Sequence, residues 1–529
     1  MAIDDLRARY AELFPGPIGL AADGIAPPDA EVPALLLCFT NRSGSNYLAE
    51  LLRSTGQLGW APEAFLAEFI TAQRERWPFE VETLAEYCRA LRHNLTAEET
   101  RPPFVKIGWQ QLFLLGELGI LDDVFPNRRI LLVRRRDLLA QAASYAIAAS
   151  SGQWRSDHES SADDTDDAAA TDITTDNVRA RTRSVQLADR HVRNFAAVTG
   201  DPLLEVAYED FEAEPQWVVD EVLTFAGLSP TPIAPDAVAV ARQRSERNRQ
   251  LADAVRAEVQ QHWTAGPPQL PERTGWGSFA VPYPVDDLLE RVRSLWPDPL
   301  AAASSPAEPD SLGERLVLIV SPLITDGYDV GNWLTSHPDI AGPPSPLFPT
   351  EPADAHPDGL VAHLTADLAA EAPARYRVKV VRPYELCFLV ESRLIPTVLG
   401  KPRVLVVRHH DIAAAGRALL GADDADADVV SALYGLRAIS AREQLVREIT
   451  TVFGLDTEDV VVGATIEQVA RRRVAIAEWL GCEPDLLFAP TALVRPPTTR
   501  QPRRAEEAVI DVWPRVIDHE SGEISTYGA

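Results

Sequence analysis

Four segments of this 529-residue chain occur twice, in the same order, and that repetition limits the fold more than any other feature. An apolar run, ALLLCFT (34–40), leads into NRSGSNYLAELL, and RLVLIVS (315–321) leads into PLITDGYDVGNWL. FVKIGWQQLFLL from Phe104 matches RVKVVRPYELCFLV from Arg377. RILLVRRRDLLAQAASY from Arg129 matches RVLVVRHHDIAAAGRAL from Arg403, and LEVAYEDFEAEPQWVVDEVLTFAGLSP from Leu204 resembles VVGATIEQVARRRVAIAEWLGCEP from Val461. Four blocks in one order read as two tandem copies of a single domain.

Each copy alternates short leucine-rich or β-branched runs with amphipathic stretches. That alternation predicts an α/β fold, a P-loop-like parallel sheet flanked by helices, present twice. AAASSPAEPDS (301–311) has the composition of a linker, so the expected division is 1–300 and 312–529. The tract 156–176 is acidic and poor in large apolar side chains, which predicts a loop.

Ligands of such sheets bind beyond the carboxyl ends of the strands. Two chemically distinctive segments fall there. The first is Thr40-Asn41-Arg42-Ser43-Gly44-Ser45-Asn46, between a strand and a helix. Small residues let backbone N–H groups approach an anion, while Arg42 adds a cation and Ser43, Ser45 and Asn46 add side-chain donors. The segment lacks GxxxxGK[ST], which excludes a Walker-type triphosphatase loop. The second is VRRRDLLAQAASY (133–145), in which Arg135 can hold a phosphate bidentately and Ser144, on the following helix, can donate to the same group.

Fifty Lys+Arg against 78 Asp+Glu leave a net charge of −28, which argues against nucleic-acid or anionic-membrane partners. No apolar run approaches the roughly 20 residues of a membrane helix, and the N-terminal segment is acidic rather than signal-like. Cys38, Cys88, Cys387 and Cys482 lack CxxC spacing, so neither a disulfide framework nor a zinc site is expected. A cytoplasmic location and a metal-free chemistry are the expectations.

RSGSN after a strand, PEAF near residue 63, VKIGWQQ, RRDLLAQAAS with SGQW, and ARQRSER (241–247) together resemble one family. It is the bacterial family of PAPS-dependent sulfotransferases that includes trehalose sulfotransferase and relates to nodulation-factor sulfotransferases. The resemblance spans about residues 33 to 255 of the chain. It implies that Arg42, Ser43, Gly44, Ser45 and Asn46 hold the 5′-phosphosulfate of PAPS. Arg135 and Ser144 grip the 3′-phosphate, with Arg242, Gln243 or Arg247 as helpers. Glu63 is the implied general base, with Ala64 standing where the family carries an aromatic and Glu68 as the fallback. Trp109 and Trp154 fall on the acceptor side. Lys106 is a further candidate cation, against which a structural role competes because Lys379 recurs in the second copy.

Aligning Gly44 with Gly327 sets Thr325 opposite Arg42 and Asp326 opposite Ser43. On the same reading Pro346 stands opposite Glu63, Arg382 opposite Trp109, His409 opposite Arg135 and Ala418 opposite Ser144. The second copy is therefore expected to be degenerate, with the chain forming a homodimer or an internal pseudo-dimer. The expected activity is sulfuryl transfer from PAPS, leaving PAP, to a hydroxyl or amine of a small acceptor such as a sugar, nucleoside or secondary metabolite. A P-loop kinase is disfavoured by the missing Walker lysine. A non-catalytic nucleotide-binding scaffold is disfavoured by the intact Arg42, Glu63, Arg135 and Ser144.

Overall fold

A computed structural model describes residues 3–19, 33–97, 101–151, 173–234, 246–264, 285–296, 300, 315–349, 355, 359–369, 375–409, 411–412, 414–415, 429–463 and 466–483. The described chain divides between Ala252 and Asp253 into two compact units. The linker expected at 301–311 lies outside the described residues.

In the first unit the order is α1 (Ile3–Leu13), β1 (Ala34–Phe39), α2 (Ser45–Ser54), α3 (Ala67–Arg76), α4 (Leu84–Ala97), β2 (Phe104–Ile107), α5 (Trp109–Glu117) and α6 (Ile120–Val124). Then follow β3 (Arg128–Arg134), α7 (Leu138–Ser151), α8 (Thr175–Thr199), β4 (Leu203–Ala207), α9 (Tyr208–Ala213) and α10 (Pro215–Phe225), with α11 (Glu246–Thr264) next. The four strands are parallel, in the order β2-β1-β3-β4. Continuous apolar runs such as ALLLCF suit strands covered on both faces, and Leu35, Leu36, Leu37 and Cys38 are all fully buried. One face packs Leu35, Leu37, Leu131 and Val133 against Leu48 and Leu52 of α2 and Val219 and Leu223 of α10.

The second unit holds α12 (Val285–Leu295), β5 (Leu316–Val320), α13 (Ile324–Leu334), β6 (Ile340–Pro346), α14 (Leu360–Ala369) and β7 (Tyr376–Val381). It continues with α15 (Pro383–Glu391), a π-helical turn at Ile395–Leu399, β8 (Arg403–His409), α16 (Val429–Val452), β9 (Thr457–Val462) and α17 (Ile466–Leu480). Its sheet is also wholly parallel, in the order β6-β7-β5-β8-β9, so it carries an additional edge strand. Helix α12, which the sequence groups with the first copy, sets Leu288, Leu289 and Val292 into this unit's core beside Leu318 and Val404. Two parallel sheets with matching strand order fit two copies of one architecture.

Register and caps fix which residues of the units correspond. β1 pairs Leu37 with both Lys106 and Leu131, and β5 pairs Ile319 with Val380 and Leu318 with Val404. Leu37 and Ile319 lie on the faces covered by α2 and α13 respectively. The N-cap amide of α5 donates from Gly108 to Gln111 Oε1 at 2.8 Å, and that of α15 from Arg382 to Glu385 Oε2 at 2.7 Å. Arg134 pairs with Glu205 at 3.2 Å, and Arg408 with Asp459 at 3.8 Å. These landmarks match Lys106 with Val380, Trp109 with Pro383 and Arg135 with His409.

Several expected pairings are thereby corrected, the first being that Pro383, not Arg382, stands opposite Trp109. Lys379 is not the counterpart of Lys106: it alternates with Val378 and Val380, which pack on the α13 face, so it projects from the other face and donates to Ser345 Oγ at 2.8 Å. One residue of register reverses every side chain of a strand. Nor does Gly327 repeat the turn of Gly44. Gly327 lies inside α13, where an added Cβ would stand 2.6 Å from Val380, whereas Gly44 is the left-handed cap of α2 at φ 90°. Matching the buried Leu48 and Leu52 with Val330 and Leu334 sets Ile324, Thr325 and Asp326 at the places of Arg42, Ser43 and Gly44, wound into the first turn of α13.

Leu131 is fully buried on β3, between β1 and β4. Leu131→Ala should destabilise the first unit by about 2–5 kcal/mol, read as a lower urea midpoint.

Candidate functional site

At the carboxyl end of β1 the chain leaves the sheet through Thr40 to Gly44. Arg42 adopts φ 65° and Gly44 φ 90°. The arginine value is the strained one, because a side chain in the left-handed region costs on the order of 1–3 kcal/mol. From α7, Gln141 holds this loop: its Nε2 donates to Thr40 Oγ1 at 2.8 Å and to the Asn41 carbonyl at 2.9 Å. One turn further on, Ser144 Oγ accepts from Arg42 Nε at 2.9 Å. Thus the two distinctive segments of the sequence meet.

Burial, and secondarily the Arg135 guanidinium, hold Arg42 below its ordinary pKa. A guanidinium disfavoured by burial and by a neighbouring cation marks a place where an anion is stabilised. Ser43 is fully buried, and among the described residues its Oγ has no hydrogen-bond partner. An orphaned hydroxyl in a cationic turn is a ready donor for phosphate oxygens.

Beside the loop lies a second group. Lys106, only 3% exposed, donates to Glu63 Oε1 at 2.5 Å and to Asn46 Oδ1, with Nζ 4.6 Å from the Phe39 ring centre. Glu63 keeps 37% of its side chain exposed, so it is anchored by the lysine and open to solvent. The amide of Lys106 donates to the Pro62 carbonyl at 3.0 Å, which fixes the Glu63 segment along the edge of β2. Glu68, by contrast, sits on α3 and pairs with Arg9 at 2.7 Å on the surface.

Trp109 opens α5 and stacks on His191 of α8, with centroids 4.4 Å apart and planes 24° apart. His191 is 1% exposed; burial first and Arg190 second push its pKa down to about 3, so the ring is neutral. Trp154, Arg242 and Gln243 lie outside the described residues, as does the side chain of Arg247. The sequence reading passed over Tyr208, whose ring lies 4.1 Å beneath the Arg135 guanidinium carbon. Gln141 is visible in the motif string, but Tyr208 reaches the site from a distant strand and no local spacing announces it.

In the second unit, the corresponding place is filled from within. His409 Nε2 lies 2.8 Å from Asp326 Oδ2 and Nδ1 3.0 Å from Glu443 Oε1, all three groups being buried. The His409 amide also donates to Glu443 Oε1 at 3.0 Å. With both ring nitrogens facing carboxylates, the imidazolium form satisfies the site.

Elsewhere in that unit His337, Asp339 and Cys482 bring potential metal-ligand atoms within 4.8 Å of one another. His337 Nδ1 already accepts from the Asp339 amide at 3.1 Å, which sets the ring proton on Nε2 and works against ligation there. Among the described residues, no helix is long and apolar enough to cross a membrane.

Residues 110–258 match the family model described as Stf0 sulphotransferase. This stretch, from α5 through β3, α7, α8 and β4 into α11, is thus similar to that sulfotransferase family. No curated protein matches the chain.

The His409 triad yields a pH dependence. Burial lowers the imidazole pKa, but hydrogen bonds to Asp326 and Glu443 outweigh it and raise the value above 6.5. A raised folded-state pKa means that the stabilisation is complete below the unfolded value and is lost as pH climbs through the raised one. Hydrogen exchange at the β8 amides should show wild type better protected than His409→Gln near pH 6. The difference should shrink steadily as the medium becomes alkaline.

Proposed function

We propose that the first unit is a PAPS-dependent sulfotransferase acting on a small hydroxyl- or amine-bearing acceptor, and that the second unit is a degenerate copy that binds no nucleotide. The observation that carries this reading is the meeting of Arg42, Ser144 and the unpartnered Ser43 hydroxyl at one left-handed turn, within electrostatic reach of Arg135. That donor set fits a ligand with phosphates at two places: backbone and side-chain donors of Arg42 to Asn46 for one, Arg135 with Ser144 for the other. The sulphotransferase match over 110–258 supports the same reading.

Bound PAPS supplies an activated sulfuryl group, whose bond to the phosphate oxygen breaks as the acceptor oxygen or nitrogen attacks sulfur. Glu63 takes the proton that the acceptor loses. Lys106 keeps the Glu63 carboxylate aimed and, through Asn46, ties it to the anion loop. Arg42 and the loop amides stabilise the negative charge that grows on the departing phosphate. Trp109, braced by His191, forms a wall toward the acceptor. Positioning and charge stabilisation do most of the work, as in phosphoryl transfer.

For the second unit the support is substitution at each cradle position. Ile324 stands for Arg42, His409 for Arg135 and Val380 for Lys106, and Asp326 brings a buried carboxylate where an anion would sit. A carboxylate there repels phosphate.

Replacing Arg42 or Arg135 by Ala should weaken PAP binding more than about tenfold, because a charge-assisted bond to phosphate contributes about 1.5–3 kcal/mol. Calorimetry should give one PAP per chain in wild type; two per chain would overturn the degenerate reading, and a preference for ATP or GTP over PAP would overturn the donor assignment. Separately, Glu63→Gln should lower turnover by about a hundredfold while leaving PAP affinity little changed. Near-normal turnover would remove Glu63 from the role of base.

A further inference from the structure

The segment Tyr208-Glu209-Asp210 reaches both loops of the site, Gly44 in one and Arg135 to Asp137 in the other. Tyr208 is 7% exposed at the end of β4, and its ring meets both arms of the cradle. One face carries the Arg135 guanidinium, 4.1 Å from the ring centre. Its edge abuts Gly44 so closely that a Cβ there would lie 2.4 Å from Tyr208 Cδ2. Phe211 braces the ring edge-on at 5.3 Å. The neighbouring carboxylates shape the turn that follows Arg135. Glu209 accepts from the amides of Arg136 at 3.0 Å and Asp137 at 3.4 Å. Asp210 pairs with Arg136 at 2.6 Å.

These contacts alone would suit a piece of ordinary core. The second unit separates the two explanations. There Gly227 is matched by Gly481, both left-handed at φ 80° and 64°, and the Leu228 amide bond to Leu223 is matched by that of Cys482 to Ala477, each at 2.8 Å. With Glu205 matched to Asp459, the correspondence runs from β4 through α10 without a gap. It sets Val462 and Gly463 in the places of Tyr208 and Glu209. Val462 is buried in its own core among Val407, Val460 and Ile476. A valine therefore suffices to pack this position of the fold, and neither the aromatic ring nor the carboxylate that follows it recurs where Arg135 has become His409.

We infer that Tyr208-Glu209-Asp210 is a positioning segment of the anion site, in which Tyr208 orients Arg135 and seats the Gly44 turn while Glu209 and Asp210 fix the backbone and the arginine that follow. The inference rests on the nucleotide reading of the first unit for its ligand, though not for its geometry. The Tyr208 ring, rather than its hydroxyl, does the orienting, since the hydroxyl lies 3.3 Å from Glu212 and away from the guanidinium contact.

A double-mutant cycle tests it. Tyr208→Val, which installs the side chain that the second unit tolerates, should weaken PAP binding about tenfold in wild type and have little further effect in an Arg135→Ala background. Tyr208→Phe should bind PAP like wild type. Adenosine 5′-phosphate, which lacks the 3′-phosphate, should bind wild type and Tyr208→Val more nearly alike than PAP does. Additive losses, or a Phe variant as impaired as Val while both stay folded by circular dichroism, would overturn the positioning role. If wild-type protein binds no PAP, the nucleotide reading falls and the same cycle is read with inorganic phosphate. Additivity or absence of binding in that arm overturns the positioning role too.

Discussion

Two guanidinium groups, Arg42 and Arg135, are held near each other at the carboxyl edge of a parallel sheet, and burial together with Arg135 makes the charge of Arg42 harder to keep. Most local features of the first unit serve to keep them there. Arg42 is held by a left-handed backbone and by Ser144; Arg135 lies on the face of Tyr208. Gln141 ties the loop of one to the helix of the other. On the proposed reading an anion bound here would relieve that repulsion, which places the strain at Arg42 and the orphaned Ser43 hydroxyl in the same design. The Lys106–Glu63 pair extends it by coupling a carboxylate to the loop through Asn46.

The second unit solves the opposite problem on a corresponding framework. Its helix α13 starts earlier than α2, the residues at the cradle positions form a helical turn, and its buried charge is balanced internally by His409 between Asp326 and Glu443. Retained landmarks are those that the sheet needs: apolar strand residues, the capping of α5 and α15, the ion pair beneath β4 and β9. Contacts that involve Tyr208, Arg135, Lys106 and Ser144 do not recur among the described residues of the second unit.

The parallel sheets and the two strand-to-helix loops were legible because apolar runs and small-residue turns are local signals. The convergence of RSGSN with RRRDLLAQAAS could be anticipated from topology, since both loops leave adjacent strands at the same edge. Register was not legible. VKIG and VKVV align by eye, yet Lys106 and Lys379 emerge on opposite faces, and only the pairing of the strands reveals it. An alternating pattern is blind to a slip of one when both faces are buried. Gly44 and Gly327 misled in the same way: a glycine serves a left-handed turn in one place and close helix-to-strand approach in the other. Tyr208 was hidden because its role depends on contacts from β1 and β3 that nothing in its own neighbourhood encodes.

The winding of residues 324–326 into α13 has a consequence for anyone wishing to graft an anion site onto the second unit. Side-chain replacement would not suffice by itself, since the stretch that forms the left-handed loop of Arg42 to Gly44 in the first unit is here the first turn of a helix. The graft would first have to shorten the helix, with a left-handed glycine three residues inside its present start. It would also have to discharge the buried carboxylates that the imidazole now neutralises. Distance between the two units is thus better measured in helical turns than in substitutions.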